Sequence, residues 1–183
     1  MLIFGGSQGA QKINEALIEI LTEKLAKNYQ IIWATGQKQY DMIKKALNEK
    51  MLDINNIENS KIVPYIYNME EIMNISNVIV ARSGAMTIAE ISNLGKPSIL
   101  VPLPNVSQDH QLYNAKVLEK AGAAKIILND ELTKDNLNDC INSIIRDQDL
   151  MKAMGENALK EASYNVEDKI YKEIKETIHN YKK

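Results

Sequence analysis

The chain has 183 residues, 45% of them hydrophobic, which suits one ordinary domain with a buried core. Its 22 Lys+Arg against 24 Asp+Glu leave a formal charge of −2, so no polyelectrolyte field is available to hold nucleic acid or an acidic membrane, and any bound anion needs a local site. One cysteine, Cys140, and two histidines, His110 and His179, argue against a disulfide and against a Cys/His metal centre, and no apolar run nears the roughly 20 residues of a membrane span or forms a signal peptide; a reduced, cytoplasmic, metal-free protein is expected.

Short β-rich apolar runs recur at Leu2–Phe4, Gln30–Ala34, Lys61–Val63, Asn77–Ala81, Pro97–Val101 and Ala124–Leu128. A helix-like stretch follows each. The first places Ile13, Leu17, Ile20, Leu21 and Leu25 on one face, a spacing that fits period 3.6 and not period 2. The same reading predicts helices over Gln39–Asn48, Met69–Ile75, Ala85–Leu94, Asp109–Ala121, Thr133–Arg146, Leu150–Ala162 and Val166–Asn180, with Asn48–Ser60 a long polar loop. Continuous apolar strands alternating with amphipathic helices imply a parallel sheet covered on both faces and joined by right-handed crossovers, a doubly wound, Rossmann-like α/β fold. Residues 1–183 read as one domain. The last helix carries Val166, Ile170, Ile174 and Ile178 at i+4 spacing, a stripe with this sheet or another domain to cover. The first strand starts at residue 1 and turns by residue 5, so the chain reads as the second half of something longer.

In a doubly wound sheet, ligands collect beyond the carboxyl ends of the strands. Gly5-Gly6-Ser7-Gln8-Gly9-Ala10 joins the first strand to the first helix, where glycines admit a close backbone approach and a helix N-terminus attracts anions. It is either a phosphate loop or merely a tight turn. It is neither a Walker loop nor G-x-G-x-x-G, and the second strand ends in Ala34-Thr35-Gly36-Gln37 where an NAD site wants an acid, so NAD is disfavoured. Ala81-Arg82-Ser83-Gly84-Ala85-Met86-Thr87-Ile88-Ala89-Glu90 aims a second helix start at the same edge. Glu90, nearly two turns inside, is suited to accept both hydroxyls of a ribose; the bland alternative is a solvated helix carboxylate, with Arg82 snorkelling or salt-bridged. The loop from Val101 to Gln111 delivers Asp109, a candidate first-turn acid, His110, which has no nucleophile partner and suits a supporting role, and Gln111, whose amide both donates and accepts as sugar hydroxyls require. Asp147-Gln148-Asp149 spells the D-x-D of some metal-dependent transferases, but it follows a helix and reads as capping; Cys140, among Leu137, Ile141 and Ile144, reads as core.

Taken in order, Gly5–Ala10, Pro64-Tyr65-Ile66-Tyr67-Asn68-Met69, Arg82–Glu90, Gly95-Lys96-Pro97 and Asp109-His110-Gln111 with Asn114-Ala115 resemble the C-terminal half of the MurG family, bacterial peptidoglycan enzymes. Those enzymes move N-acetylglucosamine from UDP-N-acetylglucosamine to lipid I, giving lipid II. The resemblance runs from residue 1 to about residue 165. It implies one half of a GT-B glycosyltransferase, inverting and metal-independent, with no cofactor. Carried over by motif, Ser7 would contact the donor pyrophosphate within the loop of Gly5, Gly6, Gln8 and Gly9. The backbone at Ile66 would read uracil, Ala85, Met86, Thr87, Ile88 and Ala89 would line the nucleotide, Glu90 would take the ribose, and Gln111 the sugar. Arg82 and His110 would be supporting. The family's N-terminal acceptor domain, which brings lipid I, the membrane surface at the inner face of the cell membrane and the base, has no counterpart here. A fragment without it is expected to be inactive. The alternatives are the donor-binding subunit of a two-chain N-acetylglucosamine transferase and half of a UDP-N-acetylglucosamine epimerase.

Overall fold

Apolar segments of three or four residues pair into strands wherever both faces can be covered, and the described residues of the computed structural model hold six of them. They are β1 (Leu2–Phe4), β2 (Ile31–Ala34), β3 (Ser60–Val63), β4 (Ile79–Ala81), β5 (Ser98–Leu100) and β6 (Ala124–Ile126). The structure describes residues 1–6, 9–26, 28–104, 109–162, 171–175 and 177–178. All pairings are parallel, in the order β3-β2-β1-β4-β5-β6, so the doubly wound α/β expectation holds. Among the described residues up to 162, seven α-helices connect or flank them: α1 (Gln11–Thr22), α2 (Gln37–Glu49), α3 (Met69–Ile75), α4 (Ala85–Asn93), α5 (His110–Lys120), α6 (Lys134–Ile145) and α7 (Gln148–Lys160).

The pleat sorts the core into two clusters. Ile3, Trp33, Ile62, Val80 and Ile99 pack with α1, α2 and α6 on one face. Leu2, Phe4, Ala34, Ile79, Ala81 and Leu100 pack with residues of α3, α4 and α5 on the other. The stripe Ile13, Leu17, Ile20 and Leu21 is buried as predicted, but α1 ends at Thr22 and Leu25 lies beyond it. Lys24 takes a left-handed conformation (φ 54°), its N–H donates to Leu21 O and that of Leu25 to Ile20 O, which closes the helix and returns the Leu25 side chain to the core. Met51 ends α2 in the same way.

Strands β4, β5 and β6 are shorter than their apolar runs: Val78 just before β4, Val101 just after β5 and Ile127 just after β6 are buried although they lie outside the strands. The polar stretch after α2 is a loop as expected, though it buries Ile54. A 3₁₀ turn at Asn129–Glu131 had no sequence signal. Helix α7 starts at Gln148, two residues earlier than expected. Cys140 is half-buried against the α6 side of the core, and burial pushes its thiol pKa up. In the last helix Val166 and Ile170 lie outside the described residues, while Tyr171, Ile174 and Ile178 are helical and exposed. No helix among the described residues is long and apolar enough to cross a membrane.

Candidate functional site

The strand order reverses between β1 and β4, whose register pairs Phe4 with Ala81. The turns leaving these neighbouring strands, at Gly5 and at Arg82, therefore open side by side at the carboxyl edge, the crevice in which such sheets bind ligands. In the first turn Gly6 and Gly9 both have positive φ (79° and 76°), and the Gly9 N–H donates to Gly6 O at 3.0 Å. At Gly9 only glycine fits: a Cβ there would lie 2.3 Å from the carbonyl oxygen of Thr35. At Gly6 a Cβ would meet nothing within 4 Å, so that side of the turn is open. Ser7 and Gln8 lie outside the described residues.

Helices α1 to α5 all start without a side-chain cap hydrogen bond, their N-cap positions being Ala10, Gly36, Asn68, Gly84 and Asp109. Helix α6 has a full capping box from Thr133 and Asn136, and α7 is capped by Asp147. Among the described residues no side chain caps the first-turn N–H groups of α1, α4 and α5, the starts beside the crevice, which suits them to another acceptor. Around α4, Gly84 has open space, Ala85, Met86 and Ala89 are exposed, and Thr87 and Ile88 are half-buried. Glu90 is half-buried, burial pushes its carboxyl pKa up, and no described group donates to it. It is thus not the fully solvated carboxylate of the bland reading. Ile66 is buried in the same cluster as Ile88 and Ile91, which brings the β3–α3 loop beside α4; Tyr65 and Tyr67 flank it edge-to-face, ring centroids 5.0 Å apart.

Arg82 has no carboxylate partner among the described residues, which corrects the salt-bridge alternative. Its guanidinium donates to the carbonyls of Val101 (3.0 Å) and Pro102 (3.1 Å) and to Asn129 Oδ1 (2.8 Å), tying the ends of β4 and β5 to the 3₁₀ turn; burial lowers its pKa. Buried Ser83 donates through Oγ to Gln111 O at 2.7 Å, and Asn114 Nδ2 donates to Ser83 O at 3.1 Å, so the starts of α4 and α5 are locked together. The Gln111 side-chain oxygen accepts the Leu103 N–H at 3.0 Å. That bond occupies one of the two lone pairs of the oxygen, and no described group accepts from the amide NH₂. Asp109 is the N-cap residue, in a left-handed conformation (φ 52°), and not a first-turn acid; His110 is the exposed first residue of α5.

Sequence reasoning missed Asn14. It is 2% exposed, and it bonds Trp33, Thr35 and Gln39 directly behind the glycine turn. A polar residue on the apolar stripe beside Ile13 and Leu17 was the available signal.

Sheet order and connectivity define a Rossmann-like α/β domain with its crevice at the β1/β4 switch point. The chain belongs to glycosyltransferase family 28, as the model described as "Glycosyltransferase family 28 C-terminal domain" matches residues 1–170. A relative from Thermoanaerobacter sp. (strain X514), named UDP-N-acetylglucosamine--N-acetylmuramyl-(pentapeptide) pyrophosphoryl-undecaprenol N-acetylglucosamine transferase, is 41% identical over 93% of this chain and 46% of its own length. A relative of the same name from Lactobacillus johnsonii is 42% identical over 98% of this chain and 48% of its own. The crystal structure of Acinetobacter baumannii MurG superposes with a TM-score of 0.81 at 29% identity, over 96% of this chain and 49% of that one. The fold is that of one half of a GT-B glycosyltransferase. The chain spans about half the length of the relatives it matches.

Proposed function

We propose that residues 1–183 form the donor-binding domain of an inverting transferase that moves N-acetylglucosamine from its UDP conjugate to lipid I, the reaction named by the relatives. The observation that carries the reading is Glu90, a half-buried carboxylate without a described donor, on a helix whose uncapped start opens beside the glycine turn. A ribose diol would supply the missing donors. The N–H groups at the starts of α1 and α4 would take the diphosphate, the loop at Ile66 the uracil, and the Gln111 NH₂ a sugar hydroxyl.

In an inverting transfer the acceptor oxygen attacks the anomeric carbon as the bond to UDP breaks, and negative charge gathers on the departing diphosphate. Fixed N–H dipoles aimed at the oxygens of the departing diphosphate would stabilise the charge as it develops, without reorganising. Ser7, with Gly5, Gly6, Gln8 and Gly9, belongs to the diphosphate end of this proposal, and Arg82 acts through the loops it holds. The acceptor, the base and the attachment to the cytoplasmic face of the membrane belong to a partner domain. Membership of a transferase family favours this reading over an epimerase.

Calorimetry with UDP, ATP and NAD tests it. UDP should bind and NAD should not, because Thr35 at the end of β2 is buried and cannot serve as the acidic ribose acceptor of a dinucleotide site. Binding of NAD with no response to UDP overturns the assignment.

A further inference from the structure

An asparagine on the core face of a helix gives up hydration and packs worse than leucine, so its retention calls for a full set of partners. Asn14 has them. The Trp33 indole N–H donates to its Oδ1 at 2.9 Å, and its Nδ2 donates to the carbonyl oxygen of Thr35 at 3.0 Å and to Gln39 Oε1 at 2.7 Å. An indole can only donate, which fixes the amide's orientation: oxygen toward β2, NH₂ toward the β2–α2 turn. The side chain thus joins the first turn of α1 to the end of β2 and the first turn of α2.

The two groups that accept from Asn14 belong to the same residues on which the glycine turn rests. A Cβ on Gly9 would lie 2.3 Å from Thr35 O and 2.9 Å from Gln39 Nε2, so the Gly9 backbone sits directly on both. Gly9 in turn closes onto Gly6 through its N–H. We propose that Asn14 is a positioning residue for the phosphate end of the site: by fixing Thr35 and Gln39 it holds the Gly6–Gly9 turn and the start of α1 in the shape that receives a diphosphate. The ligand part of this inference rests on the nucleotide reading above. The mechanical part does not.

The consequence is selective. Loss of Asn14 should weaken ligands through their phosphates and leave the nucleoside contacts, on the loop at Ile66 and on α4, intact. Asn14→Leu keeps the branched heavy-atom skeleton in a somewhat larger side chain and removes all three bonds; Gln39→Leu removes one partner from a half-buried position and serves if the first variant does not fold. Amide NMR of the 183-residue chain provides the readout, with titrations of UDP and of uridine and with hydrogen exchange in the unliganded state. The expected result is a loss of UDP affinity of about tenfold or more with uridine within about twofold, the scale of one charge-assisted hydrogen bond. The Gly6 and Gly9 amide signals should shift, and the Gly9 amide should exchange faster without ligand. Equal losses for UDP and uridine would indicate a general structural role and overturn the proposal, as would unchanged Gly9 exchange in a folded variant. If the wild-type chain ignores UDP, the nucleotide reading fails, and Gly9 exchange still decides whether Asn14 holds the turn.

Discussion

A carboxylate held half out of water with nothing among the described residues to neutralise it destabilises the fold that carries it, and Glu90 is such a group. Its folded pKa is raised by burial above the ordinary value of 4.5, so the native state holds the proton more tightly than the unfolded chain does. Stability from this residue is therefore highest at low pH and falls as pH rises through the raised pKa. Glu90→Gln should leave the unliganded melting temperature at pH 7 equal to or above wild type, with the gap closing as pH falls through the carboxylate range. The same variant should lose about ten- to hundredfold in UDP affinity, because charge-assisted hydrogen bonds to the ribose are worth about 1.5–3 kcal/mol. Denaturation scans across pH, paired with calorimetry at pH 7, check both halves; a variant that binds UDP like wild type refutes the ribose role. Gln111→Ala should weaken UDP-N-acetylglucosamine by about 1 kcal/mol and free UDP by less, since the exposed Leu103 N–H it releases can turn to water. Competition binding of the two ligands measures the difference. Glu90 and Gln111 stood out in the sequence as candidates because their residue types match diol and hydroxyl chemistry, their loops follow strands and they fall within the motifs of the resemblance. Asn14 was not, because its role depends on Trp33, Thr35 and Gln39, between 19 and 25 residues away along the chain.

At the level of elements, amphipathic period and strand-like runs were visible, and the ends were visible only where a special residue marks them. Gly95 and Gly122 close α4 and α5 in left-handed conformations and signal it in the sequence; Lys24 and Met51 do the same for α1 and α2 and signal nothing. Helices α1 to α5 all lack a side-chain cap, so it is the position of a start at the β1/β4 crevice, and not the missing cap alone, that bears on a ligand. A start that faces ordinary solvent gains from a side-chain cap, as α6 does from Thr133, whereas a start reserved for an anion must stay open. Gly84→Asp puts this contrast to the test. The N-cap backbone (φ −63°, ψ 152°) suits any residue, a Cβ there meets nothing within 4 Å, and an acid at a helix start adds about 0.3–1 kcal/mol. The variant should melt no lower than wild type and lose UDP affinity by about tenfold or more, since its carboxylate takes the N–H groups and repels the diphosphate. Thr133→Ala should do the opposite, costing about 1 kcal/mol of stability with UDP affinity unchanged. Thermal denaturation and UDP titration of the two variants give the four numbers, and a Gly84→Asp protein that keeps its UDP affinity would place the diphosphate elsewhere.

For the whole molecule, alternation of strand and helix announced a parallel sheet but not the order of its strands, and the order decides which loops meet. Only the reversal between β1 and β4 makes neighbours of turns 77 residues apart, Gly5 and Arg82. The same topology places the D-x-D sequence. Asp147 Oδ1 accepts the Leu150 N–H at 2.8 Å as the cap of α7, and Asp149 lines a cavity with Ser76, Asn77 and Pro97, which precede β4 and β5. That is the amino edge of the sheet, and the glycine turn and α4 start at the carboxyl edge. A strand of three residues with its flanking turns puts about 10 Å or more between them, beyond the reach of a cation that must touch both carboxylate and diphosphate at about 2 Å. UDP affinity should therefore stay within about twofold when EDTA replaces magnesium, and Asp149→Asn should leave it unchanged as well. The diphosphate would rest on N–H groups of α1 and α4, which supply fixed positive ends where a metal-dependent transferase uses an ion. Titrations in EDTA and in magnesium, on wild type and Asp149→Asn, decide it: a large loss in EDTA restored by magnesium would mean that the helix ends do not carry the charge, and a loss confined to Asp149→Asn would bring the amino edge into the site.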